Sequence, residues 1–164
     1  MRKLYKNFIT EEEAEQILNN IPTSHLSVKT ALNKELKPKN LSNGAKDVSF
    51  IESFIKKINN QLKNDFIFNI KKQSYFHIEE TRNSGHSWHI DTGTNNHMLW
   101  CEIGLSIILK EGNGGGETYY ADNKNGLNKI KSNRKMYDLI AHTSDEWHKV
   151  AQSYGGRFVF LMFI

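Results

Sequence analysis

From Ser49 to Leu62 the apolar residues Ile51, Phe54, Ile55, Ile58 and Leu62 fall at i, i+3, i+4, i+7 and i+11, which lines them up on one face of an α-helix. Ser49 and Glu52 have capping-box spacing and predict where that helix begins. A shorter helix is predicted after Thr10, where Glu13 completes a second capping box ahead of Ala14, Ile17 and Leu18. The polar stretch between them, from Pro22 to Asp47, carries Pro38 and Asn43-Gly44 and reads as a long surface excursion. After Asn64 the period changes to two. Phe66, Phe68 and Ile70 alternate with Ile67 and Asn69, and strands are predicted at Tyr75–Glu80, Ser87–Asp91, Met98–Leu109, Glu117–Ala121, Met136–Ala141 and Arg157–Ile164. Turn clusters at Asn83-Ser84-Gly85, Glu111–Gly116, Asp122–Gly126 and Ser153–Gly156 separate them. Helices first and strands after predict an α+β domain whose sheets close into a barrel or sandwich.

The segment Met98–Leu109 has two unlike faces. Its odd positions (Leu99, Cys101, Ile103, Leu105, Ile107, Leu109) are apolar and belong against a core. Its even positions include Gly104 and Ser106, which have almost no bulk, so that face can line a cavity or meet solvent.

Composition narrows the classes. A chain of 164 residues with 38% hydrophobic, 24% charged and 11% aromatic residues fits one folded domain over 1–164 and excludes a disordered or collagen-like chain. No apolar run approaches the ~20 residues that span a bilayer, and the N-terminal Met1–Glu13 has no secretory pattern. Cys101 is the single cysteine, so no internal disulfide forms and a cytoplasmic location is expected. The net charge of +4 is thin and made mostly of scattered lysines, which argues for solvated surface and against a nucleic-acid partner.

The chemistry concentrates in a few polar residues. In Trp88-His89-Ile90-Asp91, residues two apart on a strand project to the same side, so His89 and Asp91 offer a divalent metal two ligands together. His148 follows in Trp147-His148-Lys149-Val150, and Arg157 opens an otherwise apolar strand, where burying it calls for an anionic partner. Two histidines and one carboxylate make the facial triad of non-haem Fe(II) oxygenases, with three positions left open. His86, three residues before His89, would face the opposite side of the strand, and His97 and His142 lie at predicted turns; all three read as surface or supporting residues, and Trp88 and Trp147 as packing residues.

This order of His-x-Asp, a distant His and then an Arg-led strand resembles the Fe(II)/2-oxoglutarate-dependent dioxygenases, most closely their prolyl 4-hydroxylase-like branch. Gly114-Gly115-Gly116-Glu117-Thr118, His148-Lys149-Val150 with Gly156-Arg157, and Asn7-Phe8-Ile9-Thr10 before an acidic helix are similar to segments of that family. The resemblance implies a double-stranded β-helix, a jelly-roll or cupin-like barrel with the N-terminal helices packed on one sheet. It implies that His89, Asp91 and His148 bind Fe(II), that Arg157 holds the distal carboxylate of 2-oxoglutarate, and that no catalytic side chain is needed beyond the metal centre. Such an enzyme uses O2, releases succinate and CO2, draws on ascorbate for support, and hydroxylates a peptidyl residue or a small molecule.

The chain departs from the family where many relatives carry a cosubstrate tyrosine; Tyr75, His77 and Ser106 are the substitutes to weigh. Phe163 stands where nucleic-acid demethylases of this fold carry a second arginine, and Asp91 is the carboxylate that halogenases of this fold lack. The competing expectation is a metal-free β-helix binding module in which these four polar positions are ordinary surface; for Arg157 alone the alternative is a structural ion pair with Glu102 or Glu117.

Overall fold

The computed structural model describes residues 1–21, 23–24, 30–32, 38–39, 47–93 and 98–164. Its elements in chain order are β1 (Arg2–Tyr5), α1 (Glu11–Asn20), β2 (Thr23–Ser24), β3 (Thr30–Leu32), β4 (Pro38–Lys39), α2 (Val48–Leu62), β5 (Tyr75–Thr81), β6 (His86–His89), β7 (Ile103–Lys110), β8 (Gly114–Gly115), β9 (Thr118–Ala121), β10 (Ile130–Lys131), β11 (Leu139–Thr143), β12 (Trp147–Val150), β13 (Ser153–Tyr154) and β14 (Arg157–Phe163). Among the described residues no helix is long and apolar enough to cross a membrane. Most of the expected excursion over Pro22–Asp47 lies outside the described residues, as does His97.

The main sheet runs β1-β11-β7-β14-β5-β3-β4, with β2 added in parallel to β5. A second sheet runs β10-β9-β12-β6, and β13 pairs with β8 in a short ribbon. Strand alternation assigns the two faces of the main sheet to different tasks. Phe76 and Ile78 of β5, Leu105 and Ile107 of β7, Leu139 and Ala141 of β11, and Phe160 and Met162 of β14 form one apolar layer with Ile17 of α1 and Ile51, Phe54, Ile55, Ile58 and Leu62 of α2. Phe54 meets Phe160 edge-on at 5.1 Å between ring centroids, which ties α2 to the centre of the sheet. The other face looks toward a polar interior.

Both helices form where the apolar stripes fall. Thr10 accepts from the Glu13 N–H at 3.1 Å while Glu13 accepts from the Thr10 N–H at 2.9 Å, the expected box. The cap of α2 is Asp47, which accepts from the Phe50 N–H at 3.0 Å, so the helix starts before Ser49 and the Ser49–Glu52 box is replaced. Other features also depart from the sequence reading. β1 precedes the first helix as an edge strand on β11, although Arg2-Lys3-Leu4-Tyr5 is too short and charged to show a period. Residues 66–70 alternate in burial, with Phe66 buried and Ile67 fully exposed, yet form no strand, and the Asn69 N–H turns to the Glu102 carboxylate. The strand expected from Met98 begins at Ile103, because Met98 adopts φ +53° and its carbonyl accepts from Cys101 N–H in a turn that leaves Leu99 exposed.

Candidate metal centre

β6 and β12 lie side by side in the second sheet, with His89 directly opposite His148. Asp91 follows β6 in a turn held by its own N–H on the Ser144 carbonyl at 2.9 Å. One ligand atom from each of His89, Asp91 and His148 can be chosen so that all lie within 4.8 Å of one another, an arrangement able to hold a metal ion. The Nε2 atoms of His89 and His148 stand 3.9 and 3.6 Å from Asp91 Oδ1. Each Nδ1 faces a backbone carbonyl, Ser87 at 2.7 Å and Glu146 at 2.9 Å. A carbonyl only accepts, so each Nδ1 carries the proton and each Nε2 presents its lone pair toward Asp91.

Burial fixes the charge states. It lowers His89, and it lowers His148 well below the ordinary imidazole value with help from His142 and His89 nearby, which keeps both neutral as metal ligation requires. It pushes the Asp91 carboxyl up to about 7, an effect that the nearby His86 only partly opposes. Neutral imidazoles around a desolvated carboxylate fit a divalent cation. Gly104 on β7 makes room for that carboxylate, because a Cβ there would lie 1.8 Å from Asp91 Oδ2. The small-residue face of β7 thus has its reason.

Arg157 is 2% exposed, and its Nε and Nη2 are buried without a hydrogen-bond partner. The nearest carboxylate oxygen belongs to Glu111, 3.6 Å from Nε and beyond good hydrogen-bond reach. Glu102 and Glu117 pair instead with Lys71 and Lys131, so neither holds Arg157 as a structural partner. The glycine run covers this side chain: Gly116 has φ +78°, and a Cβ on it would lie 2.8 Å from Arg157 Cδ.

The three residues and Arg157 border two adjoining spaces. A cavity of about 340 Å³ is lined by Tyr75, His77, Glu79, His89, Asp91 and Phe163 among others. A tighter chamber of about 60 Å³ lies behind it, between Ser106, Thr118, Arg134, His142, His148 and Arg157. Of the candidates to replace a cosubstrate tyrosine, Ser106 lines the chamber, whereas Tyr75 and His77 line the wider cavity.

Two histidines stand elsewhere than the sequence reading placed them, and one arginine had no reading. His142 is not at a turn but in β11, buried, with Nε2 3.7 Å from Asp91 Oδ2, and burial lowers it to about 4. The signal was the alternation Leu139, Ala141 and its opposite face, which runs on to His142. His86 faces the cavity rather than away from it, because the β6–β12 pairing shifts register between His148 and Val150 and puts His86 on the side of His89. Its ring donates to Glu79 at 2.8 Å; that bond raises His86, and against the opposing effect of burial it holds Glu79 low. Arg134 carried no signal, lying outside every periodic segment. Trp88 packs against Gly126 and under Lys149, and neither it nor Trp147 lines either space.

No protein-family model matches the chain, and a search of curated proteins finds no match. Solved structures do. A 2OG-Fe(II) oxygenase family oxidoreductase from Burkholderia pseudomallei superposes with a TM-score of 0.58 at 15% identity, covering 99% of this chain and 82% of its own. The fold is that of the 2OG-Fe(II) oxygenases. A Trichoplax adhaerens prolyl hydroxylase, solved with a peptide fragment of the hypoxia inducible factor oxygen degradation domain, gives 0.62 at 13% identity with the same coverage. The viral collagen prolyl hydroxylase of Paramecium bursaria Chlorella virus-1, solved as a 2OG complex, gives 0.54 at 16% identity and is covered over 94% of its length. These 2OG-Fe(II) oxygenases are oxidoreductases, and their likeness to this chain is one of fold.

Proposed function

We propose that residues 1–164 act as one dioxygenase domain, an Fe(II)- and 2-oxoglutarate-dependent hydroxylase built on a double-stranded β-helix. The observation that carries this reading is the position of the triad between a wider cavity and a narrow chamber whose buried Arg157 has unsatisfied nitrogens. His89, Asp91 and His148 would hold the iron, and Arg157 the distal carboxylate of 2-oxoglutarate. Iron and cosubstrate together supply O2 activation, with release of succinate and CO2.

The protein's part is orientation and exclusion. The Ser87 and Glu146 carbonyls fix the two imidazoles, and Gly104 lets Asp91 approach. Guanidinium suits the distal carboxylate because it donates in a planar fork and stays charged when buried. Apolar Val159 and Leu161 beside Arg157 keep water from competing for that contact. The substrate then enters through the wider cavity, past Tyr75, Met98 and Phe163. The peptide complex of the Trichoplax enzyme supports a peptidyl substrate, proline first, with a small molecule as the other class. Phe163 in the cavity wall, where a second arginine would serve a nucleic-acid demethylase, supports neither DNA nor RNA. Cys101, a free and buried thiol, is compatible with the reducing cytoplasm.

The experiment is incubation with Fe(II), ascorbate and labelled 2-oxoglutarate against panels of peptides, free amino acids and nucleotides, reading succinate. Fe(II)-dependent succinate that a peptide or small molecule stimulates, and that Asp91→Asn loses, is the expected result. Folded protein that makes no succinate with any panel would point instead to a metal-free binding module.

A further inference from the structure

The chamber behind the triad holds a second guanidinium. Arg134 comes from the segment between β10 and β11, and its side chain lines both the chamber and an outer groove of about 220 Å³ beside Gly115 and Gly116. It therefore forms the wall between interior and surface. Its Nη1 donates to Ser106 Oγ, and its Nη2 to Thr118 Oγ1 at 2.8 Å. Both acceptors are neutral hydroxyls, one from the small-residue face of β7 and one from β9. Among the described residues no carboxylate lies within ion-pairing distance of Arg134. Burial lowers it to about 10, with Arg157 adding to the effect, so it remains a cation that feels its neighbour across the chamber.

The charge count in this space is unbalanced. Arg134 and Arg157 both face it, the one carboxylate in its lining, Glu79, is engaged by His86, and Glu111 from outside the lining comes no nearer to Arg157 Nε than 3.6 Å. Two partly desolvated guanidiniums are costly unless an anion with more than one acceptor oxygen enters between them. A guanidinium carries five N–H donors, and the two hydroxyls account for only two of those on Arg134. Ser106 and Thr118 fix the fork in place, so little side-chain entropy remains to be lost on binding.

We infer that Arg134 is a second anchor for the distal carboxylate and makes the site selective for 2-oxo acids that end in one. The inference rests on the hydroxylase reading above and adds a residue to it. Arg157 grips the carboxylate from β14, and Arg134 does so from the segment between β10 and β11, through a side chain preset by Ser106 and Thr118. A 2-oxo acid of the same length without the second carboxylate would leave Arg134 without a carboxylate and Arg157 with only the 3.6 Å contact to Glu111, and bind poorly.

The test is calorimetric titration of Mn(II)-loaded protein with 2-oxoglutarate and, separately, with 2-oxopentanoate, which has the same chain length and no distal carboxylate. In Arg134→Met the affinity for 2-oxoglutarate should fall roughly 10- to 100-fold, the span of a charge-assisted hydrogen bond. Affinities for 2-oxopentanoate and for Mn(II) should stay close to wild type. Arg134→Lys should keep part of the preference, and it reads the same ratio if the methionine variant does not fold. Equal weakening of both acids would make Arg134 a structural tie between β7 and β9 and overturn the inference. So would an unchanged affinity for 2-oxoglutarate in Arg134→Met while Arg157→Ala weakens it; in both cases the hydroxylase reading survives. Wild-type protein that binds Mn(II) but neither acid would overturn both.

Discussion

The two faces of the main sheet are built from the same four strands and could hardly differ more. On the helix side, Phe76, Ile78, Leu105, Ile107, Leu139, Ala141, Phe160 and Met162 pack with α1 and α2 into a layer without a charged group. On the other side, one residue along each strand, stand His77 and Glu79, Gly104 and Ser106, His142, and Arg157. The first face satisfies itself through shape. The second leaves buried nitrogens on Arg157 unsatisfied and a carboxylate, Asp91, desolvated among imidazoles. Stability lives on one side of the backbone and binding on the other, which lets a short chain carry strained chemistry on a conventional core.

Substitutions should respect that division. Phe160→Ala, which empties the contact with Phe54 and Phe76, is expected to cost about 3–5 kcal/mol of stability while the remaining folded protein still binds Mn(II). Chemical denaturation with and without the ion checks both halves. Arg157→Ala should do the reverse, weakening 2-oxoglutarate on Mn(II)-loaded protein by roughly 10- to 100-fold, with Arg157→Lys recovering part. A pure loss of stability with an unchanged dissociation constant would make Arg157 a member of the structural side. Gly104→Ala tests the seam between the faces: its Cβ collides with Asp91 Oδ2, so a penalty of about 1–3 kcal/mol should appear together with weaker metal binding. The smallest effect is expected at Thr10→Ala, about 1 kcal/mol from the lost cap, with metal and cosubstrate binding unchanged in titrations.

Much of this division could be read from the sequence because both faces obey simple periods. The stripe from Ile51 to Leu62 and the odd positions from Ile103 to Leu109 announced the packed layer, and His-x-Asp placed two ligand types on one side. What escaped depends on contacts that no period encodes. Asp47 outcompeted Ser49 as a cap because its carboxylate reaches both the Phe50 N–H and the Ser49 hydroxyl. His86 turned inward through a register shift that belongs to the β6–β12 pairing, not to β6 alone. Arg134 enters the chamber from a segment with no periodic pattern, guided by two hydroxyls distant in sequence. His142 was within reach of the same alternation that gave Leu139 and Ala141, had the strand been carried one residue further.

The central claim is that His89, Asp91 and His148 form a metal centre, and thermal melting with Mn(II) tests it most directly. A ligand that binds only the folded state stabilises it by mass action, about 2.7 kcal/mol at a hundredfold excess over its dissociation constant. Wild-type protein should melt at a higher temperature with Mn(II), and His89→Ala and His148→Ala should each melt at the same temperature with and without it. A Mn(II)-dependent rise that persists in both variants would contradict the account.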